Sequence, residues 1–173
     1  MTTTEMTVTR DRADLLESLT QHRFFLRFTV RDLTDEQAAQ RTTVSELCLG
    51  GLIKHVALAE RRWGDFILDG PSALRHEGDD PGAAHAQTFV MLEGESLAAL
   101  LDQYEEVAQR TDDLVATLPD LDASQPLPEA PWFEPGARWS ARRVFLHVIA
   151  ETAQHAGHAD ILRESIDGAK SMG

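Results

Sequence analysis

From residue 9 to residue 33, Leu15, Leu19, His22, Leu26, Thr29 and Leu33 recur at alternating steps of four and three, the spacing of one helical face. This predicts a first long helix. Thr34-Asp35-Glu36-Gln37 places a cap residue three positions ahead of a glutamine, the pattern of a capping box, and predicts a short helical turn. From Ser45 to Leu68 a second stripe carries Cys48, Leu52, His55, Ala59, Trp63 and Phe66, and Gly70-Pro71 ends it. Residues 70–82 hold three Gly, two Pro and three acids, a loop composition. Periodicity resumes around His85 and runs through Leu97, Leu100, Leu101, Tyr104, Val107, Leu114 and Leu118, which predicts a third long helix kinked near Gly94. Pro119 to Arg138 contains five prolines and one glycine together with Trp132 and Phe133, an irregular connection expected to fold back over the helices. Ser140 caps a fourth helix, which Gly168 closes.

No segment sustains the period-two alternation of a strand, so the expected fold class is all-α. The expectation is a single-domain four-helix bundle over residues 1–173, of up-and-down or crossover connectivity, with long connecting loops and flexible ends at about 1–8 and 169–173.

Charge narrows the partners. Sixteen basic against twenty-nine acidic residues leave a formal charge of -13, a field that repels phosphate backbones and anionic membrane surfaces. Nucleic acid and membrane are therefore not expected. No apolar run approaches the roughly 20 residues of a membrane span, and the first ten residues lack the apolar centre of a secretory signal, so the expected compartment is the cytoplasm. The single cysteine, Cys48, excludes an intramolecular disulfide framework and a cysteine-based zinc finger. Any metal must be held by His, Asp or Glu.

Candidate chemistry lies inside the seams. On the fourth helix Val144, Val148, Ala159 and Leu162 define the apolar stripe, and Glu151 and His155 fall at its centre, with His147 and His158 at its flank. A carboxylate at a core position needs a compensating partner, and His155 is one turn away on the same face. A single histidine on an apolar face is ordinarily a satisfied core residue, and a Glu/His pair at i, i+4 is a common helical salt bridge. What distinguishes this chain is coincidence: the second helix is apolar along its stripe except at His55. Two groups spaced i, i+4 on one helix and a third from a neighbour suit zinc, with a further position open to water or substrate. His55, Glu151 and His155 are the expected metal ligands. His158, His147 and His22 are then candidates for orienting a ligand or relaying a proton, with His158 the expected catalytic proton relay. Arg23 is a candidate anion partner and Trp63 or Trp132 a candidate pocket wall, although a solvated or interhelical ion pair is favoured for the arginine and core or interface packing for the tryptophans. His76 and His85 receive no role. A di-iron carboxylate centre would need two E-x-x-H pairs, and no Glu here has a His three residues later. The metalloprotease pattern H-E-x-x-H is also absent.

At "LGGLIKHVALAERRWGDF" (49–66) and "LHVIAETAQHAGHADILRE" (146–164) the chain resembles the DinB/YfiT-like superfamily of metal-dependent enzymes, four-helix bundles whose members include mycothiol-dependent maleylpyruvate isomerase. The resemblance implies a divalent metal, zinc or else nickel, held by His55 and by the Glu151/His155 pair, with His158 where relatives often carry Gln. It implies activation of a low-molecular-weight thiol, with mycothiol as co-substrate, in an S-transferase or isomerase acting on a small molecule. Fourteen Arg against two Lys point to a GC-rich genome, which suits mycothiol. The extra C-terminal domain of the isomerase is not expected here, which argues against that one reaction. Hydrolysis by metal-activated water and a non-catalytic metal-binding stress-response bundle are the alternatives. A homodimer is expected.

Overall fold

The computed structural model describes residues 9–75 and 81–172. His76 and the N-terminal end expected to be flexible lie outside the described residues. The first helix, α1 (Arg10–Phe28), ends earlier than its stripe does. Leu26, Thr29 and Val30 are all buried, but the Thr29 hydroxyl donates to the Leu26 carbonyl at 2.7 Å, competing with the helical ladder. Asp32, at φ 59, then turns the chain. The capping box forms as read: Thr34 and Gln37 exchange side-chain-to-backbone bonds at the start of α2 (Asp35–Ala38).

α3 (Leu49–Asp69) begins after Ser45, because Cys48 is its N-cap and its Sγ accepts from the Gly51 amide at 3.4 Å. A 3-10 turn, Gly70–Leu74, follows.

The third predicted helix is two helices rather than one with a kink. α4 (Pro81–Thr88) and α5 (Leu97–Thr117) are separated by residues 89–96. Gly94 takes φ 86, and the Ser96 hydroxyl accepts from the Ala99 amide at 3.2 Å, capping α5 anew.

The proline-rich connector is also more regular than expected. β1 (Ser124–Pro126) pairs antiparallel with β2 (Arg138–Ser140), Gln125 opposite Trp139. Strands of three residues are too short to show an alternation. Gln125 Nε2 donates to the Ile67 carbonyl at 3.3 Å, tying this ribbon to α3. α6 (Ala141–Asp167) then runs from the Ser140 cap to Gly168 at φ 78. Beyond it, the Ser171 amide and hydroxyl both donate to Asp160 at 2.7 Å.

α1 packs on α6 and α5, and α3 packs on the same two helices. The first two long helices of the chain therefore face each other across the bundle's diagonal, and the connector between them crosses over. Two apolar clusters fill the interior. One holds Leu26, Leu52, Ile53, Val56, Leu100, Tyr104, Ala159 and Leu162; the other holds Leu15, Leu19, Phe66, Val115, Val144, Phe145 and Val148. Between them lies a polar waist. Buried Arg23 of α1 donates from Nε to Glu60 of α3 at 3.3 Å and from Nη1 to Asp112 of α5 at 2.8 Å. Arg23 is thus the interhelical ion-pairing residue that its sequence context favoured, its charge met by two carboxylates rather than by a ligand anion. Among the described residues no helix is long and apolar enough to cross a membrane.

Candidate metal centre

The waist is also where α3 and α6 bring their polar side chains together. His55 and His155 are buried, at 6% and 8% exposure, and Glu151 is half-buried between them. One ligand atom from each of His55, Glu151 and His155 lies within 4.8 Å of the others. His55 Nε2 is 3.5 Å and His155 Nε2 3.3 Å from the same oxygen, Glu151 Oε1. The three residues singled out by their interruption of apolar stripes are therefore neighbours in space.

Proton positions at His55 follow from its other ring nitrogen. Nδ1 lies 2.8 Å from Thr88 Oγ1, and the Thr88 hydroxyl donates its only proton to the His85 carbonyl at 2.7 Å. Thr88 must therefore accept from His55, so Nδ1 carries the proton. A second proton on Nε2 would make an imidazolium, which burial opposes: desolvation holds the His55 pKa below its ordinary value, with the polar bond to Glu151 a smaller opposing influence. Neutral His55 thus points a lone pair at a carboxylate oxygen. Glu151 is itself held well below the usual carboxylate range, most strongly by its hydrogen bond with His155, and stays ionised. Separations of 3.3 and 3.5 Å are long for charge-assisted bonds, which run about 2.7–2.9 Å. The His55 lone pair and the Glu151 carboxylate, facing each other in this way, fit a cation set between them, and the donor set is compatible with a metal site.

The surroundings orient these groups. His158 Nδ1 is 3.4 Å from His155 Nδ1, so His158 meets the far edge of that ring, away from Glu151. Phe89 stacks on the His55 ring at 3.8 Å between centroids. A cavity of about 180 Å³ opens on the cluster, walled by Leu58, Ala59, Arg62 and Trp63 of α3, by Leu74, and by His85 and Thr88 of α4. Trp63 lines the cavity, the role for which it was a candidate, and also packs against Phe66 and Trp139, the reading favoured for it. Trp132 is 76% exposed and lines no part of this cavity; behind the wall, Trp139 of β2 stacks on Trp63 at 4.8 Å. His147, one turn from Glu151, stands edge-on to both tryptophans, and burial pushes its pKa down. His22 is half-buried on α1 and is not part of the cluster.

Sequence reading missed Thr88, Phe89, Arg62 and the place of His85. Arg62 had a signal, since it follows His55 by seven residues and so shares its helical face. Thr88 and Phe89 had none, because they belong to α4 and the turn after it, whose position no periodicity encodes.

A family model described as mycothiol-S-transferase matches residues 14–168. Among solved structures, the chain is similar to one described as the conserved protein of locus from Enterococcus faecalis, with a TM-score of 0.64 at 15% identity, covering 91% of this chain and 97% of that one. Identity at that level speaks for the shared fold. No curated protein matches the chain.

Proposed function

The chain belongs to the mycothiol-S-transferase family, and from that premise we propose that it is an enzyme that holds one divalent ion at His55, Glu151 and His155 and activates a low-molecular-weight thiol for transfer to a small molecule. The ion proposed is zinc, with nickel second, and the thiol is mycothiol. The observation that carries the reading is the convergence of two imidazole nitrogens and a carboxylate oxygen within 4.8 Å, with the lone pair of His55 Nε2 turned toward Glu151.

Two neutral imidazoles and one carboxylate leave a residual charge of about one unit on a divalent ion, which at that place would lower the pKa of a thiol and favour its anion. The protein's own groups do the rest. Thr88 fixes the His55 tautomer. His158 accepts from or donates to His155 Nδ1 and so sets the turn of that ring; it acts as a positioning residue, through which a proton can pass along the back of His155. Trp63 and Leu74 give the cavity apolar walls, and Arg62 brings a cationic group to its wall.

Elemental analysis tests the site first. The purified protein is expected to carry about one first-row divalent ion per chain, lost in His55→Ala and in His155→Ala; full occupancy in both variants sinks the assignment. In the cobalt-substituted protein, mycothiol is expected to change the visible spectrum. An unchanged spectrum at saturating thiol rules out the thiol chemistry.

A further inference from the structure

We propose that the groove between α3 and α5 is a second binding site, which holds the distal, uncharged and hydrogen-bonding part of the same molecule whose thiol end enters the metal cavity. The inference rests on the thiol reading above and adds where the remainder of that molecule lies and what chemistry recognises it.

Volume raises the question. The metal cavity measures about 180 Å³. At about 30 Å³ per water this is the space of some six waters, below the roughly 300–1,000 Å³ of ordinary small-molecule sites. A thiol of more than a few heavy atoms must extend out of it. A groove between α3 and α5 measures about 400 Å³; Leu58 walls both it and the cavity, and the consecutive residues Arg61 and Arg62 line one each. Cavity and groove together fall within the ordinary range.

The lining gives the chemistry. Leu58, Leu100 and Val107 supply an apolar floor. On the rim Lys54 is committed to both oxygens of Glu95, at 2.8 and 3.0 Å, and Arg110 to Asp65 at 2.6 Å. Three rim groups remain uncommitted among the described residues: Arg61, Gln103 and Glu106 make no hydrogen bond or ion pair. They comprise one cation, one amide and one carboxylate. Their charges cancel, so a net charge on the ligand gains nothing, whereas hydroxyl and amide groups find both donors and acceptors. A polyhydroxylated moiety is the class that fits.

Two thiols of different reach separate the possibilities. The full-length cobalt-substituted protein is titrated with N-acetylcysteine, which ends at the metal cavity, and with mycothiol, in which the same thiol end carries two linked polyhydroxylated rings. Both titrations are repeated on Gln103→Ala/Glu106→Ala, whose side chains are exposed on α5, and on Val107→Trp, which fills the groove. Mycothiol affinity is expected to fall about tenfold in each variant, the scale of two lost hydrogen bonds in the first, with N-acetylcysteine affinity unchanged. Spectra that respond to both thiols while mycothiol binds wild type and both variants equally overturn the groove site and leave the metal reading standing. A spectrum that responds to neither thiol overturns both.

Discussion

At His55 the place of one proton decides what the ring offers to the cluster. Thr88 accepts at Nδ1 because its own proton is spent on the His85 carbonyl, and this leaves the Nε2 lone pair facing Glu151. Partners of this kind commonly affect metal affinity by about 10–100-fold when removed. Thr88→Val keeps the shape and deletes the acceptor, so competition against a chromophoric chelator is expected to show metal affinity reduced by about that factor, with Thr88→Ser restoring it. Equal affinity in Thr88→Val and wild type would remove the tautomer argument. The three residues of the cluster were legible because each breaks an apolar stripe, a burial anomaly that periodicity exposes. Thr88 was not, since a threonine at the end of a short helix breaks no pattern and its role comes from a contact 33 positions along the chain.

The two helices α3 and α4 meet through a glycine. A Cβ on Gly51 would lie 1.8 Å from the Phe89 carbonyl oxygen and 2.3 Å from its carbon, so the turn after Thr88 approaches α3 only because Gly51 has no side chain. Phe89 is also the residue stacked on His55, and the same close approach sets Thr88 against the ring. Gly64, further along α3, meets nothing nearer than Leu114 at 3.6 Å. Gly→Ala within a helix is worth roughly 0.5–1 kcal/mol in favour of Ala, which makes the two glycines a matched pair. Gly64→Ala is expected to raise the melting temperature without altering metal affinity. Gly51→Ala is expected to weaken metal binding, because the backbone of Phe89 must move. If Gly51→Ala binds metal as tightly as Gly64→Ala, α4 does not position the site. The interruption between α4 and α5 escaped the sequence reading for a related reason: apolar residues continue in phase from His85 to Leu118, and the break depends on how closely residue 89 can approach another helix.

Across the whole molecule the waist explains why polar residues sit in a bundle core at all. Each long helix contributes apolar residues to both clusters and changes character between them, at Arg23 on α1, at Glu60 on α3, at Thr111 on α5 and at Glu151, Thr152 and His155 on α6. The four-helix architecture was visible in the periodicities. The alignment of these interruptions at one level was not, because it depends on which helices lie diagonal to one another. The Arg23–Glu60 pair spans that diagonal, with side-chain exposures of 5% and 0%, and it holds the level at which α3 presents His55 to α6. Removing one partner of a buried pair leaves an uncompensated charge and typically costs about 3–5 kcal/mol, whereas replacing both with apolar groups of similar volume is often neutral or stabilising. In urea denaturation Arg23→Met is therefore expected to lose about 3–5 kcal/mol, and Arg23→Met/Glu60→Leu to recover most of it. Metal affinity separates stability from alignment: if the pair also sets the register of α3, the double variant regains its stability and still binds metal more weakly than wild type. Wild-type affinity in that variant would mean that the apolar clusters alone align the helices.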